Sequence, residues 1–184
     1  MTTANKITLF RIILIPVFMY IAISQGAQGN LLALAIFALA SVTDFIDGYI
    51  ARKYNQITDF GKLVDPLADK LLVMSALLIL CEQGVVPSWV CIVILAREFT
   101  VSSLRSIAAS KGVVLAASFW GKLKTVSQLF CIIYLLSGLP EIMIAGMGTR
   151  MLSIWIVVFF TIFSGTDYLA KNFDLIKDGL VKKG

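Results

Sequence analysis

The chain has 184 residues, 59% of them hydrophobic and only 15% charged, with a formal net charge of +5 and a mean hydropathy of +0.90. Apolar runs of about 20 residues recur, the length an α-helix needs to cross ~30 Å of hydrocarbon, so little chain is left for a soluble domain. There is no histidine, and Cys81, Cys91 and Cys131 lack CxxC spacing, which excludes Ser-His and Cys-His dyads and argues against zinc or a redox pair. Any chemistry must use carboxylates, cationic side chains and metals.

In chain order the apolar runs predict helices at 7–24, 31–53, 62–82, 87–110, 119–138 and 148–171. The first follows Asn5, Lys6 and Arg11 without a small-residue cleavage site, and reads as a retained helix rather than a signal peptide. The connections 25–30 and 83–86 carry no Lys or Arg, whereas 52–62 holds Arg52, Lys53 and Lys62. The positive-inside rule then predicts six transmembrane helices with both termini in the cytoplasm and only Arg150, among the basic residues, on the far side. A basic inner surface suits membrane lipids with anionic headgroups. No aromatic-rich basic module suits nucleic acid.

Asp44 and Asp47 stand three apart at the inner end of the second helix, and Asp65 and Asp69 four apart in the third. Each pair projects from one helix face, and two antiparallel neighbours bring all four together. Carboxylates beside hydrocarbon are costly unless compensated, so the cluster predicts bound cations in a polar cavity open to the cytoplasm. Hard oxygen donors select Mg²⁺ or Mn²⁺, and a pair of such ions suits displacement at phosphorus. Four carboxylates offset two divalent ions, leaving a substrate diphosphate to nearby cations, of which Arg52 is the first candidate. Gly48 and Gly61 flank the acids; a helical glycine points either to close approach of a ligand or to close helix packing. Pro66 is expected early in the third helix, where its missing N–H is tolerated. Arg97 and Glu98, adjacent and mid-helix, are expected to form a structural ion pair.

The run Asp44-x-x-Asp47-Gly48-x-x-Ala51-Arg52, eight residues, Gly61-x-x-x-Asp65-x-x-x-Asp69 resembles the signature of the CDP-alcohol phosphotransferase family at every position and both spacings. Further stretches resemble its phosphatidylglycerophosphate-forming branch: Asn5 to Arg11, Ala96-Arg97-Glu98-Phe99, Ser103-Leu104-Arg105 and Gly121-Lys122-Leu123-Lys124-Thr125. Ala4 departs from the family, where many members have proline before the asparagine.

The resemblance implies a single all-α membrane domain over 1–184, a homodimer, and a reaction in which glycerol 3-phosphate attacks CDP-diacylglycerol and CMP departs; inositol phosphate, phosphatidylglycerol and serine are the alternative acceptors, since they share the hydroxyl chemistry. It implies that Asp44, Asp47, Asp65 and Asp69 hold two divalent cations, and that Asp69 also takes the proton of the acceptor hydroxyl. A carboxylate beside dications is a weak base, so its help is expected only as the hydroxyl acidifies on bonding to phosphorus. Asn5, Thr8, Gly48, Arg52, Thr58 and Gly61 are implied as contacts of CDP-diacylglycerol. An acceptor that carries a phosphate needs a cationic pocket, for which Arg105, Lys122 and Lys124 are the candidates; the two lysines equally suit a positive-inside flank.

Two other function classes also use intramembrane carboxylates. A cation pathway would continue through the outer half, but 31–43 and 71–80 contain no ionisable acid or base. A membrane prenyltransferase would carry two separated Asp motifs and release pyrophosphate instead of CMP.

Overall fold

The computed structural model describes residues 3–53, 59–113, 115–116, 118–144 and 146–173; the side chains at 3–6, 44–53, 59–63, 65 and 66 lie outside the description. Among the described residues there are six α-helices, α1 (Thr3–Ser24), α2 (Leu31–Lys53), α3 (Asp59–Glu82), α4 (Ser88–Ser110), α5 (Phe119–Ser137) and α6 (Thr149–Lys171), and one short hairpin of β1 (Met143–Ile144) and β2 (Met147–Gly148). The all-α expectation holds. The helical periods match the apolar runs, but α1 and α3 each begin earlier than hydropathy places them, because the polar turns Thr3–Lys6 and Asp59–Gly61 are helical without being apolar. That start corrects the reading of Pro66, which lies in the second turn of α3 rather than the first.

By length and composition two helices among the described residues can cross a membrane, Ile7–Ser24 within α1 and Thr149–Lys171, and Leu31–Thr43 is a shorter apolar stretch. Charges near their ends or middles set the other helices apart, as with Arg97, Glu98 and Arg105 in α4.

The chain forms two compact units, Met1–Pro87 with Ile132–Pro140, and Ser88–Cys131 with Glu141–Gly184. In the first, α1, α2 and α3 pack on one another. Asn30 opens α2 as its N-cap, its Oδ1 accepting from the N–H groups of Leu32 and Ala33 at 3.1 Å, a cap that stabilises a helix by about 1 kcal/mol. Phe18 and Phe37 meet with ring centroids 5.8 Å apart, both fully buried. The last turns of α5 bury Ile132, Leu135 and Leu136 in this unit. There the loop after α1 meets the end of α5 backbone to backbone: Gly29 N–H donates to Leu136 O at 2.9 Å. Gly138 takes φ +65°, and a Cβ on it would lie 2.5 Å from Gly29 Cα. Only glycine fits both that conformation and that gap.

In the second unit, α4 buries Val90, Cys91, Ile94, Val101, Leu104 and Ala108, and α6 buries Ile154, Val157, Val158, Thr161, Ser164, Gly165 and Tyr168. The two helices pack together, with Val101, Leu104 and Tyr168 forming a cluster that Leu115 and Leu169 cover. Trp120 of α5 stands edge-on to Phe163 of α6 at 4.6 Å. The cysteines are free thiols, with Cys91 and Cys131 buried.

Candidate active site

The buried line of α1 runs Thr8, Arg11, Ile15, Phe18, Ala22, alternating steps of three and four residues, so its apolar inner part turns polar towards the N-terminus. The buried line of α2, Ala33, Phe37, Ala40, continues in the same register to positions 44 and 47. On α3 the line Ala68, Leu72, Ala76 is bracketed at its start by positions 65 and 69.

Contacts at the opposite end fix how these lines meet. Gln83, just past α3, donates from Nε2 to Ala22 O at 3.0 Å and accepts at Oε1 from Ala27 N–H at 3.1 Å. The C-terminal end of α3 therefore lies beside that of α1, and α3 runs parallel to α1. The short 25–30 connection turns α2 antiparallel to both, with Phe18 against Phe37. Counting seven residues from each ring brings Arg11 level with position 44, and ten brings Thr8 level with position 47, at the common rise of about 1.5 Å per residue. Thirteen residues back from the ends of α1 and α3 lie Arg11 and Asp69. Counted along the helix axes, the four aspartate positions, Thr8 and Arg11 fall at about the same level of three packed helices.

Thr8 is buried and Asp69 half-buried, and both are engaged with other groups. The side chains of Asn5, Asp44, Asp47, Gly48, Arg52, Gly61 and Asp65 lie outside the described residues, and so does Thr58 entirely. The donor set is oxygen throughout, with no thiolate or imidazole, and the pairs sit a helical turn apart on adjacent helices. Those residues fit hard divalent cations.

Sequence reasoning counted Arg11 only among the inner-side cations, yet it is fully buried and engaged. The signal was available, since a guanidinium three residues after a threonine in an otherwise apolar helix is placed for work rather than for solvation.

The cationic candidates belong to the second unit. Glu98 Oε1 accepts from Arg97 Nη1 at 3.0 Å and from Lys124 Nζ at 2.6 Å, with the three side chains 20%, 13% and 5% exposed. The expected Arg97–Glu98 pair is present and has a third member. Arg97 runs between two glycines: a Cβ on Gly165 would lie 3.1 Å from its Cγ, and one on Gly121 3.4 Å from its Nη2. Its Nε and the Nε2 of Gln128, one turn beyond Lys124, are buried without hydrogen-bond partners among the described residues.

Arg105 is exposed, and its Nε donates to Tyr168 Oη at 3.0 Å with the guanidinium carbon 5.5 Å from that ring's centroid. Its terminal nitrogens have no protein partner among the described residues. Lys122 is exposed whereas Lys124 is buried. Positions two apart on a helix do not share a face, so α5 does not bring the two lysines together.

The chain is similar to known proteins over most of its length. The profile described as CDP-alcohol phosphatidyltransferase matches residues 1–163. A Bacillus subtilis protein named CDP-diacylglycerol--glycerol-3-phosphate 3-phosphatidyltransferase is 45% identical over 94% of this chain and 96% of its own. Proteins of the same name from Rickettsia typhi and Haemophilus influenzae are 42% identical, over 89% of this chain and 93% of their own, and 38% identical, over 68% and 70%, respectively. The acid spacing on α2 and α3, the match across most of the length and these relatives agree: the chain belongs to the CDP-alcohol phosphatidyltransferase family.

Proposed function

We infer that this membrane protein transfers the phosphatidyl group of CDP-diacylglycerol to glycerol 3-phosphate, forming phosphatidylglycerophosphate and CMP. What supports the reading is the spacing of four aspartates on α2 and α3, two packed helices whose buried lines lead to those positions, in a chain whose relatives carry that activity in their names.

The family uses divalent metal ions. Asp44, Asp47, Asp65 and Asp69 would hold two, Mg²⁺ or Mn²⁺, which when bound neutralise the diphosphate of the nucleotide. Asn5, Thr8, Gly48, Arg52, Thr58 and Gly61 position the cytidine and its phosphates. The 1-hydroxyl oxygen of the acceptor forms a bond to the lipid-bearing phosphorus, the bond from that phosphorus to CMP breaks, and the hydroxyl proton passes to the Asp69 carboxylate. Positioning and charge neutralisation supply most of the acceleration.

Arg105 receives the acceptor's phosphate, because Tyr168 braces its Nε and leaves the terminal nitrogens for an anion; Lys122 and Lys124, on different faces of α5, do not join it as a pair. All six helices cross the bilayer, the termini and the site face the cytoplasm, and the protein works as a homodimer.

The test is the purified protein in lipid nanodiscs with CDP-diacylglycerol and each candidate alcohol. CMP release is expected with glycerol 3-phosphate; release with serine or inositol phosphate alone would overturn the assignment of acceptor, and pyrophosphate in place of CMP the assignment of chemistry.

A further inference from the structure

The segment between α5 and α6 holds the one piece of β-structure among the described residues. Its register pairs Met143 with Gly148 and Ile144 with Met147, and the ladder extends through Thr149 N–H to Ile142 O at 2.9 Å and Ile142 N–H to Thr149 Oγ1 at 3.2 Å. Alternation along the strands sorts the side chains onto two faces. Ile142, Ile144 and Met147 share one. On the other, the Glu141 carboxylate covers Gly148, where any side chain would strike it, and Met143 stands beside it.

Among the described residues, Ile142, Ile144 and Met147 on the apolar face are between 40% and 63% exposed. A lone two-stranded hairpin is marginal in water and needs a surface under its apolar side. Connectivity says which surface is present. β2 runs directly into α6, which is long and apolar enough to cross a membrane, and the exposed apolar side chains continue from Met147 into the stripe Met151, Trp155, Phe159, Ile162 on that helix.

The rings of Trp89, in the first turn of α4, and Trp155 pack 5.5 Å apart. Tryptophans collect at the headgroup level of a bilayer. From Trp155 back to Thr149 is about 9 Å of helix, comparable with the thickness of one headgroup layer. The hairpin therefore stands on the water side of the tryptophan pair, about one headgroup layer out from it.

We propose that the β1–β2 hairpin rests on the bilayer interface as an amphipathic ribbon, with Ile142, Ile144 and Met147 turned towards the lipid and Glu141 towards water. Its partner is the lipid surface. The charges beside it, Glu141 and Arg150, balance, so insertion depends on apolar area and not on anionic headgroups.

The test uses the full chain in liposomes, in a Cys81→Ser background because Cys81 is the partly exposed thiol. Single cysteines at Ile144, Met147 and Glu141 carry an environment-sensitive nitrobenzoxadiazole label. Labels at 144 and 147 are expected to be quenched by doxyl-labelled lipid about twofold more than the label at 141, and reached less by aqueous iodide, equally with and without anionic lipid. Equal iodide quenching at all three positions would overturn the proposal in favour of a solvated loop. Shielding of 144 and 147 from both quenchers would overturn it in favour of a protein contact such as a second copy. If Ile144→Cys fails to fold by size-exclusion profile, Met147→Cys carries the same comparison.

Discussion

Substituting Glu98 by alanine isolates the energetics of the buried ion cluster. Glu98 Oε1 is shared by Arg97 and Lys124, whose side chains are only 13% and 5% exposed. Removing one partner of a buried pair leaves charge without compensation and costs about 3–5 kcal/mol. For a chain of this length each kcal/mol corresponds to about 2–4 °C, so Tm should fall by roughly 6–20 °C. Glu98→Gln keeps an acceptor and should fall less. Adding Lys124→Met to Glu98→Ala removes one stranded cation and should recover part of the loss, with a coupling of about 0.5–3 kcal/mol. The assay is thermal unfolding in nanodiscs, followed by tryptophan fluorescence, for the wild type, Glu98→Ala, Glu98→Gln, Lys124→Met and the double variant. A Glu98→Ala protein within about 2 °C of wild type, or a double variant with purely additive loss, would refute the claim that this carboxylate holds two buried cations together.

Asp44→Asn or Asp65→Asn should abolish CMP release while leaving a folded protein, since each removes a ligand from a set of mutually repelling carboxylates; near-wild-type release contradicts the assignment. Chelation of divalent ions should stop turnover, and Mg²⁺ or Mn²⁺, but not Na⁺, should restore it, measured as CMP release after dialysis. Arg105→Ala should raise KM for glycerol 3-phosphate roughly tenfold or more, whereas Arg52→Ala should act on CDP-diacylglycerol; a swapped pattern would redraw the pocket. Gly138→Ala should destabilise by more than about 2 kcal/mol, read from the same unfolding assay, because it adds a strained φ to a collision with Gly29.

The apolar runs made the helices legible because helical period and membrane thickness both leave their mark on composition. Their polar first turns, Thr3–Lys6 and Asp59–Gly61, carried no such mark. The level of the acids was implicit as well: an antiparallel α2 and a parallel α3 follow from short connections, and the buried lines of Ala33, Phe37 and Ala40 and of Ala68 and Leu72 point to positions 44, 47, 65 and 69. The fate of the cations was not legible. Lys122 and Lys124 look alike in sequence, and only the fold assigns one to Glu98 and leaves the other exposed. The slots at Gly121 and Gly165 that admit Arg97 come from two different helices, so no local pattern announces them. The hairpin was missed because two-residue strands are too short for alternation to register.

The meeting of Gly29 with Leu136 and Gly138 has a bearing on biogenesis. The unit that opens at the N-terminus closes only when residues 132–140 arrive. A nascent chain halted after α3 therefore carries the Gly29 amide without its acceptor and lacks the α5 residues that complete this unit. A fragment ending at Pro87, though it contains every aspartate of the signature, lacks the segment of α5 that belongs to its unit.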